Sequence, residues 1–294
     1  MRGKRLKLWL IPAGVVVAIA GAAGLLYAHF TAGWTVPIAP FRIAGNLYYV
    51  GSEELASYLI VTPDGSILIN SGLECSVPLI KANIATLGKK FSDIKILLIS
   101  HAHVDHCAGS AEIRALTGAS YQVMDADVPV VESGGTSDFA YRHIPLAHFP
   151  PTRVDRVLHD LDEVRLGGTV LEAHWTPGHT KGCTTWTMKV QEGGETLDVV
   201  IVGSMGVNPG YKLIGNKCYP EIAADYQRSF GVLRSLPCRI FLGSHGSFFD
   251  LKTKYPRLPY RGTSAFDDSC GYKRFVDASE DAFHCKLAGR KIVP

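Results

Sequence analysis

The 294-residue chain is long enough to bury a large core, as one big domain or as two fused halves. Its 47% hydrophobic and 19% charged residues exclude a disordered chain. The formal net charge is only +3, part of it from Arg2, Lys4, Arg5 and Lys7, and no basic stripe with interleaved aromatics occurs; this argues against nucleic acid as a partner, and nothing points to a protein partner.

Those basic residues open a targeting segment. They precede an apolar run from about Leu8 to Ala28, the order of a secretory signal. The run approaches the roughly 20 apolar residues of a membrane span, although Pro12 and many Gly and Ala residues make it a weak one. Residues 1–30 are therefore expected to be a signal peptide or an N-terminal anchor, with membrane attachment through residues 8–28 if uncleaved. Residues 31–294 are expected to form the catalytic domain, periplasmic or secreted, or else held on the inner membrane facing the periplasm. Export permits disulfides among the seven cysteines, and the odd count leaves at least one unpaired.

Asn46–Val50, Ser57–Thr62 and Ser66–Asn70 read as three short strands, the last two joined by the turn Thr62-Pro63-Asp64-Gly65. A helix is expected from about Pro78 to Leu87, then a buried strand at Ile94–Ser100. Ser110 is placed to cap a helix starting at Ala111, and Tyr121–Met124 forms another strand. This alternation argues for α/β layering. Glu132–Pro151 reads as a long irregular loop, a kind that is uncommon and often functional. Strands follow at Arg153–Leu158, Thr169–Trp175, Thr184–Val190 and Thr196–Val202, with a hairpin turn at Gly193-Gly194. After a second Gly/Pro-rich loop, Met205–Pro220, come a helix over Glu221–Leu236, a strand at Ile240–Leu242 and a helical tail from Ser264 to about Leu287. The coarse doubling of strands and helices is consistent with two similar halves packed face to face.

The strand ending at Ser100 delivers His101-Ala102-His103-Val104-Asp105-His106, four possible metal ligands in six residues. Imidazole and carboxylate suit Zn²⁺ or a similar first-row ion. A mere polar turn would gain nothing from three imidazoles that repel as they protonate. Two later stretches repeat the grammar of strand, tight small-residue turn and histidine: Thr176-Pro177-Gly178-His179 and Gly243-Ser244-His245. Five His and one Asp suffice for two metals with three protein ligands each and positions left open for water, the mark of catalytic zinc. Cys107 reads as a buried thiol near the site and Cys183 as a small core residue.

At this point the chain resembles the metallo-β-lactamase superfamily, whose His-x-His-x-Asp-His motif matches His101–His106. The resemblance implies an αββα sandwich, two mixed β-sheets face to face with helices outside and a dinuclear site on one edge. It is nearer still to class B β-lactamases of the third subclass, through Pro40–Tyr49, Thr176–Thr180, Thr184–Thr187, Asn208-Pro209-Gly210, Tyr219-Pro220 and Ser235–Cys238. It assigns the first zinc to His101, His103 and His179, and the second to Asp105, His106 and His245. Other subclasses place a Cys ligand after the strand ending at Val202, where this chain has Gly203-Ser204-Met205. Members often carry a substrate-holding Ser where this chain has Met205, with Ser204 beside it; Asn208 is the third expected substrate contact. The family's paired cysteines map to Cys238 and Cys270. Asn70 stands where many members have Asp, which is expected to weaken a hydrogen bond behind the ligands.

The implied activity is hydrolysis of a β-lactam amide bond, a small-molecule antibiotic substrate, by a metal-bound hydroxide, with Asp105 as both ligand and orienter. The rivals are a thioester or lactone hydrolase, of glyoxalase II or quorum-quenching type, and a metal-binding module that has lost catalysis. The first normally bridges its metals with an Asp near the strand end at Val202, and no carboxylate stands there. The second is disfavoured by a complete ligand set.

Overall fold

The structure is a computed structural model and describes residues 31–289. The apolar run of residues 8–28 lies outside the described residues. Among the described residues no helix is long and apolar enough to cross a membrane.

Seven strands form the first sheet, in the order β1 (Phe41–Ala44), β2 (Leu47–Tyr49), β3 (Tyr58–Thr62), β4 (Gly65–Ile69), β5 (Ile94–Leu98), β6 (Ser120–Met124) and β7 (Arg156–Leu158). Strands β1 to β4 pair antiparallel; β4 to β7 pair parallel. The parallel half needs crossovers, and helices supply them. These are α1 (Val77–Thr86), the single turn α2 (Val104–Cys107), α3 (Ser110–Thr117) and α4 (Val128–Glu132). The second sheet runs β12-β11-β10-β9-β8, where β8 is Glu163–Leu166, β9 Thr169–Trp175, β10 Thr184–Glu192, β11 Glu195–Val202 and β12 Ile240–Gly243. Only β11 and β12 pair parallel, and the crossover between them carries α5 (Ile222–Ser235). Two short helices, α6 (Leu251–Lys254) and α7 (Leu258–Arg261), lead to α8 (Ser269–Leu287).

The period of two along each strand decides the layering. Tyr58 and Ile60 of β3, Ile67 and Ile69 of β4, and Ile96 and Leu98 of β5 enter the main core together with Trp186, Met188 and Ile201 of the second sheet. The intervening Leu59, Leu68 and Leu97 face the other way and pack with Val77, Ile80 and Ile84 of α1 and Ile113 of α3. Tyr226, Phe230 and Leu233 of α5 and Val276 and Phe283 of α8 extend the main cluster. The result is the expected αββα sandwich.

Several local expectations shift. Strands β1 and β8 were not foreseen; both are four residues long. Ser110 does not cap α3, because Gly109 occupies the cap and the Ser110 hydroxyl pairs with that of Ser71 at 3.0 Å. The helical tail begins at Ser269, preceded by a 3-10 turn over Gly262–Phe266. The expected Cys238–Cys270 disulfide is not formed; both are free thiols. Cys238 is half-buried before β12, where burial pushes its thiol up to about 12, and Cys270 is exposed on the first turn of α8. Other contacts fasten that turn. The Asp268 amide donates to the Arg239 carbonyl at 2.9 Å, the Asp268 carboxylate caps Gly271 N at 2.7 Å, and it pairs with buried Lys254 at 2.9 Å.

Two cross-sheet bonds place the end of β5. Trp186 Nε1 donates to Ile99 O at 3.1 Å, and Thr184 N donates to Ser100 O at 2.8 Å. His101 follows directly.

Candidate metal centre

The ligand-bearing residues sit at strand ends on one edge of the sandwich. His101–His106 leave the end of β5 and turn into α2; His179 follows β9; His245 follows β12. Asn70 at the end of β4 buttresses the first group. Its backbone takes a positive φ of 65°, a conformation Asn tolerates better than most residues. Its Oδ1 accepts from Ser100 N at 2.7 Å, and its Nδ2 donates to Ala56 O at 3.2 Å. The amide thus accepts through Oδ1 and donates through Nδ2, both to backbone groups.

Five imidazoles and one carboxylate converge. Ligand atoms of His101, His103 and His179 lie within 4.8 Å of one another, as do those of His101, Asp105 and His106. His245 joins the second group: its Nε2 lies 3.1 Å from His106 Nε2 and 3.5 Å from Asp105 Oδ2. Asp105 Oδ2 is 3.3 Å from His106 Nε2. All six sequence-identified ligand candidates are thus brought together.

The surroundings fit a cation. His101 Nε2 is buried without a hydrogen-bond partner, a costly arrangement unless a positive ion meets the imidazole lone pair there. Burial and the adjoining imidazoles hold His101 well below the usual histidine range, and lower His179 to about 3. Burial lowers His103 to about 4 against the opposing pull of Asp105. Neutral imidazole is the metal-binding form. Burial alone would raise Asp105, but His106, His245 and His103 outweigh it and hold the carboxyl well below its ordinary value.

Outer partners fix the ligand loops. His179 Nδ1 meets Gly206 O at 2.7 Å, and Tyr211 hydroxyl donates to His179 O at 2.8 Å. Ser100 Oγ lies 3.2 Å from His101 Nδ1. Asp127 joins two loops: Oδ2 accepts from Ala102 N and Thr180 Oγ1, both at 2.8 Å, and Oδ1 accepts from Gly182 N at 2.8 Å. Asp138, with its Oδ1 accepting from the Ala140 and Tyr141 amides, sets Oδ2 3.8 Å from His103 Nε2. Cys107 is buried as expected and its thiol donates to His103 O at 3.1 Å. Cys183 is fully buried, and burial raises its thiol well above the ordinary value.

The expected substrate contacts differ in their surroundings. Met205 packs into the main core at 2% exposure. Ser204 is also buried, its Oγ accepting from Gly206 N at 3.3 Å in the turn after β11. Asn208 is at the rim: its Nδ2 donates to Tyr141 hydroxyl at 2.8 Å, and the Tyr141 ring lies 5.2 Å from the His103 ring. Asp127, Asp138, Tyr141 and Tyr211 were not singled out from the sequence. The only available signal was the unusual length of the loop holding Asp138 and Tyr141.

A family model described as the metallo-beta-lactamase superfamily matches residues 55–245. Native FEZ-1 metallo-beta-lactamase from Legionella gormanii is 57% identical, with a TM-score of 0.86 over 87% of this chain and 97% of that one. BJP-1, a subclass B3 metallo-beta-lactamase of Bradyrhizobium japonicum, is 34% identical with a TM-score of 0.83, covering 88% of this chain and 97% of that one. The di-zinc class B3 enzyme LRA-12 from an Alaskan soil metagenome is 37% identical with a TM-score of 0.82, over 86% and 96% of the two chains. Among curated proteins, a probable metallo-hydrolase from Burkholderia pseudomallei (strain 1710b) is 27% identical over 107 residues, which are 36% of this chain; the match spans about a third (34%) of that relative.

Proposed function

This chain belongs to the metallo-β-lactamase superfamily, and from that premise we propose that it hydrolyses the amide bond of β-lactam antibiotics with two zinc ions. His101, His103 and His179 would hold the first ion, and Asp105, His106 and His245 the second. The observation that carries this reading is the convergence of all six side chains on one sheet edge, with the partnerless His101 Nε2 among them. When bound, such a pair of ions lowers the pKa of a shared water toward 7 and polarises a carbonyl.

The chain's own residues do the rest. Asp105, held ionised by its imidazole neighbours, accepts a hydrogen bond from the attacking water and orients it. His179 is locked in position by Gly206 O, so its ring need not reorganise. The Asn208–Tyr141 pair borders the cleft beside His103, where it meets substrate groups outside the four-membered ring. The departing amide nitrogen takes its proton from water. Against a lactone or thioester hydrolase stands the end of β11, where Val202 runs into Gly203-Ser204 with no bridging carboxylate.

The basic start and the apolar run of residues 8–28 support export to the periplasm, by cleavage or on an uncleaved inner-membrane anchor. Fractionation of expressing cells separates the two.

The test is direct. Purified mature protein with Zn²⁺ is assayed on a chromogenic cephalosporin with and without chelator. Chelator-sensitive turnover is expected; its absence at enzyme concentrations sufficient for stoichiometric detection would sink the assignment.

A further inference from the structure

His245 presents its two ring nitrogens to different surroundings. Nε2 faces the cluster, 3.1 Å from His106 Nε2 and 3.5 Å from Asp105 Oδ2. Nδ1 faces the other way, 3.6 Å from Glu54 Oε1. An imidazole that binds a cation through Nε2 carries its proton on Nδ1, and that proton needs an acceptor. We propose that Glu54 is the positioning residue of the second metal site, holding the Nδ1 proton of His245 so that the Nε2 lone pair points at the ion.

The framing of Glu54 supports this role. Its turn is pinned before the side chain is considered: Tyr49 hydroxyl donates to Ser52 O at 2.6 Å, and Leu55 N donates to Ser52 Oγ at 3.0 Å. That turn is bound to the His245 loop through its backbone. Gly246 N donates to Glu54 O at 2.8 Å, Ala56 N donates to Ser244 O at 3.0 Å, and Leu55 bridges His245. The approach is so close that a Cβ on residue 246 would come within 2.3 Å of Glu53 O, which is why Gly246 is there. The Ser247 hydroxyl donates to Glu54 Oε1, the oxygen nearest His245. The 3.6 Å separation is an ion-pair distance, and the proposed hydrogen bond requires the two atoms to close to about 3 Å. The Glu54 and His245 side chains are 18% and 17% exposed, shielded enough for the interaction to resist screening.

Each site has a carboxylate behind one of its histidines, and in the first it is Asp138, 3.8 Å from His103 Nε2. In the first, His179 gives its Nδ1 proton to a neutral carbonyl, that of Gly206. In the second, His245 gives it to a carboxylate, which makes the imidazole a stronger donor. The role belongs to the side chain alone, because the backbone bonds of residue 54 are open to Ala and Gln as they are to Glu.

The inference rests on the reading of His245 as a ligand of the second ion, and the experiment separates the two. Zinc is titrated into the full domain against a chromophoric chelator, and Co²⁺ into the same protein with the ligand-field spectrum recorded. Glu54→Ala should weaken the second ion by roughly 10–100-fold and leave the first nearly unchanged. Glu54→Gln, whose Oε1 still accepts a hydrogen bond, should recover part of the loss. The Co²⁺ spectrum should change only in the second step. Second-ion affinity in Glu54→Ala within about twofold of wild type, or an equal loss of both ions, would overturn the proposal. Wild type binding a single ion, or His245→Ala leaving the second step intact, would instead overturn the ligand reading beneath it.

Discussion

Gly206 O lies 2.7 Å from His179 Nδ1, and the same oxygen receives the Tyr226 hydroxyl at 2.7 Å. One carbonyl thus links a metal-site histidine to helix α5. Tyr226→Phe removes a buried hydrogen bond and should lower stability by about 1 kcal/mol. The His179 bond remains, so first-ion affinity should fall by well under the roughly 10-fold seen when an outer partner is lost. Urea denaturation and chelator competition measure the two effects. A large loss of zinc would show that Gly206 depends on the tyrosine for its position.

Asp105 carries two duties in the proposed reaction, ion binding and orientation of water. Asp105→Ala should therefore reduce β-lactam hydrolysis by roughly 10²–10⁴-fold. It should also lower the bound zinc toward one ion per chain. Turnover and metal content measured on the same preparation give the answer. An unchanged rate would show that the second site is wrongly composed.

Asp127 lies away from the proposed ligands but ties Ala102, between two of them, to Thr180 and Gly182 beyond a third. Asp127→Ala leaves two buried N–H groups and a hydroxyl without their acceptor. The expected cost is about 2–4 kcal/mol, measured by denaturant melts of the zinc-free protein. Asp127→Asn should lose less, because one oxygen still accepts.

Acid should act on the zinc-free protein through its imidazoles. The fold lowers His103 to about 4 and His179 to about 3, against an ordinary 6.5. Below pH 6.5 the unfolded chain binds protons that these residues refuse in the fold. Stability is then greatest above that value and falls as the pH drops through the window toward 4 and 3. Melting temperatures between neutral pH and pH 4.5 test this, and a flat or rising profile on acidification would contradict it. Zinc should dissociate over the same range, since protonated imidazole cannot bind it.

How much of this was legible in the sequence depended on how local each feature is. His101–His106 form one short segment after an obvious strand, so the start of the site was plain. His179 and His245 could be found because each repeats the same strand-and-turn grammar. Glu54, Asp127 and Asp138 could not. Each is an ordinary acid in its own segment and gains meaning only from a neighbour far along the chain. The turn after β11 buries Ser204 and Met205, an orientation that alignment to a substrate position does not give. Thr169–Trp175 was placed to the residue, while the four-residue β1 and β8 were missed.

The proposed ligands come from opposite walls of the sandwich. His101–His106 hang from the first sheet, and His179 and His245 from the second. Ions bound among them would act as rivets across the seam between the sheets, alongside the Trp186–Ile99 bond. Zinc supply would then govern the lifetime of the protein as well as its chemistry. A chain starved of metal would part along this edge first, and proteases would reach the loops after β5, β9 and β12 before the strands themselves came undone.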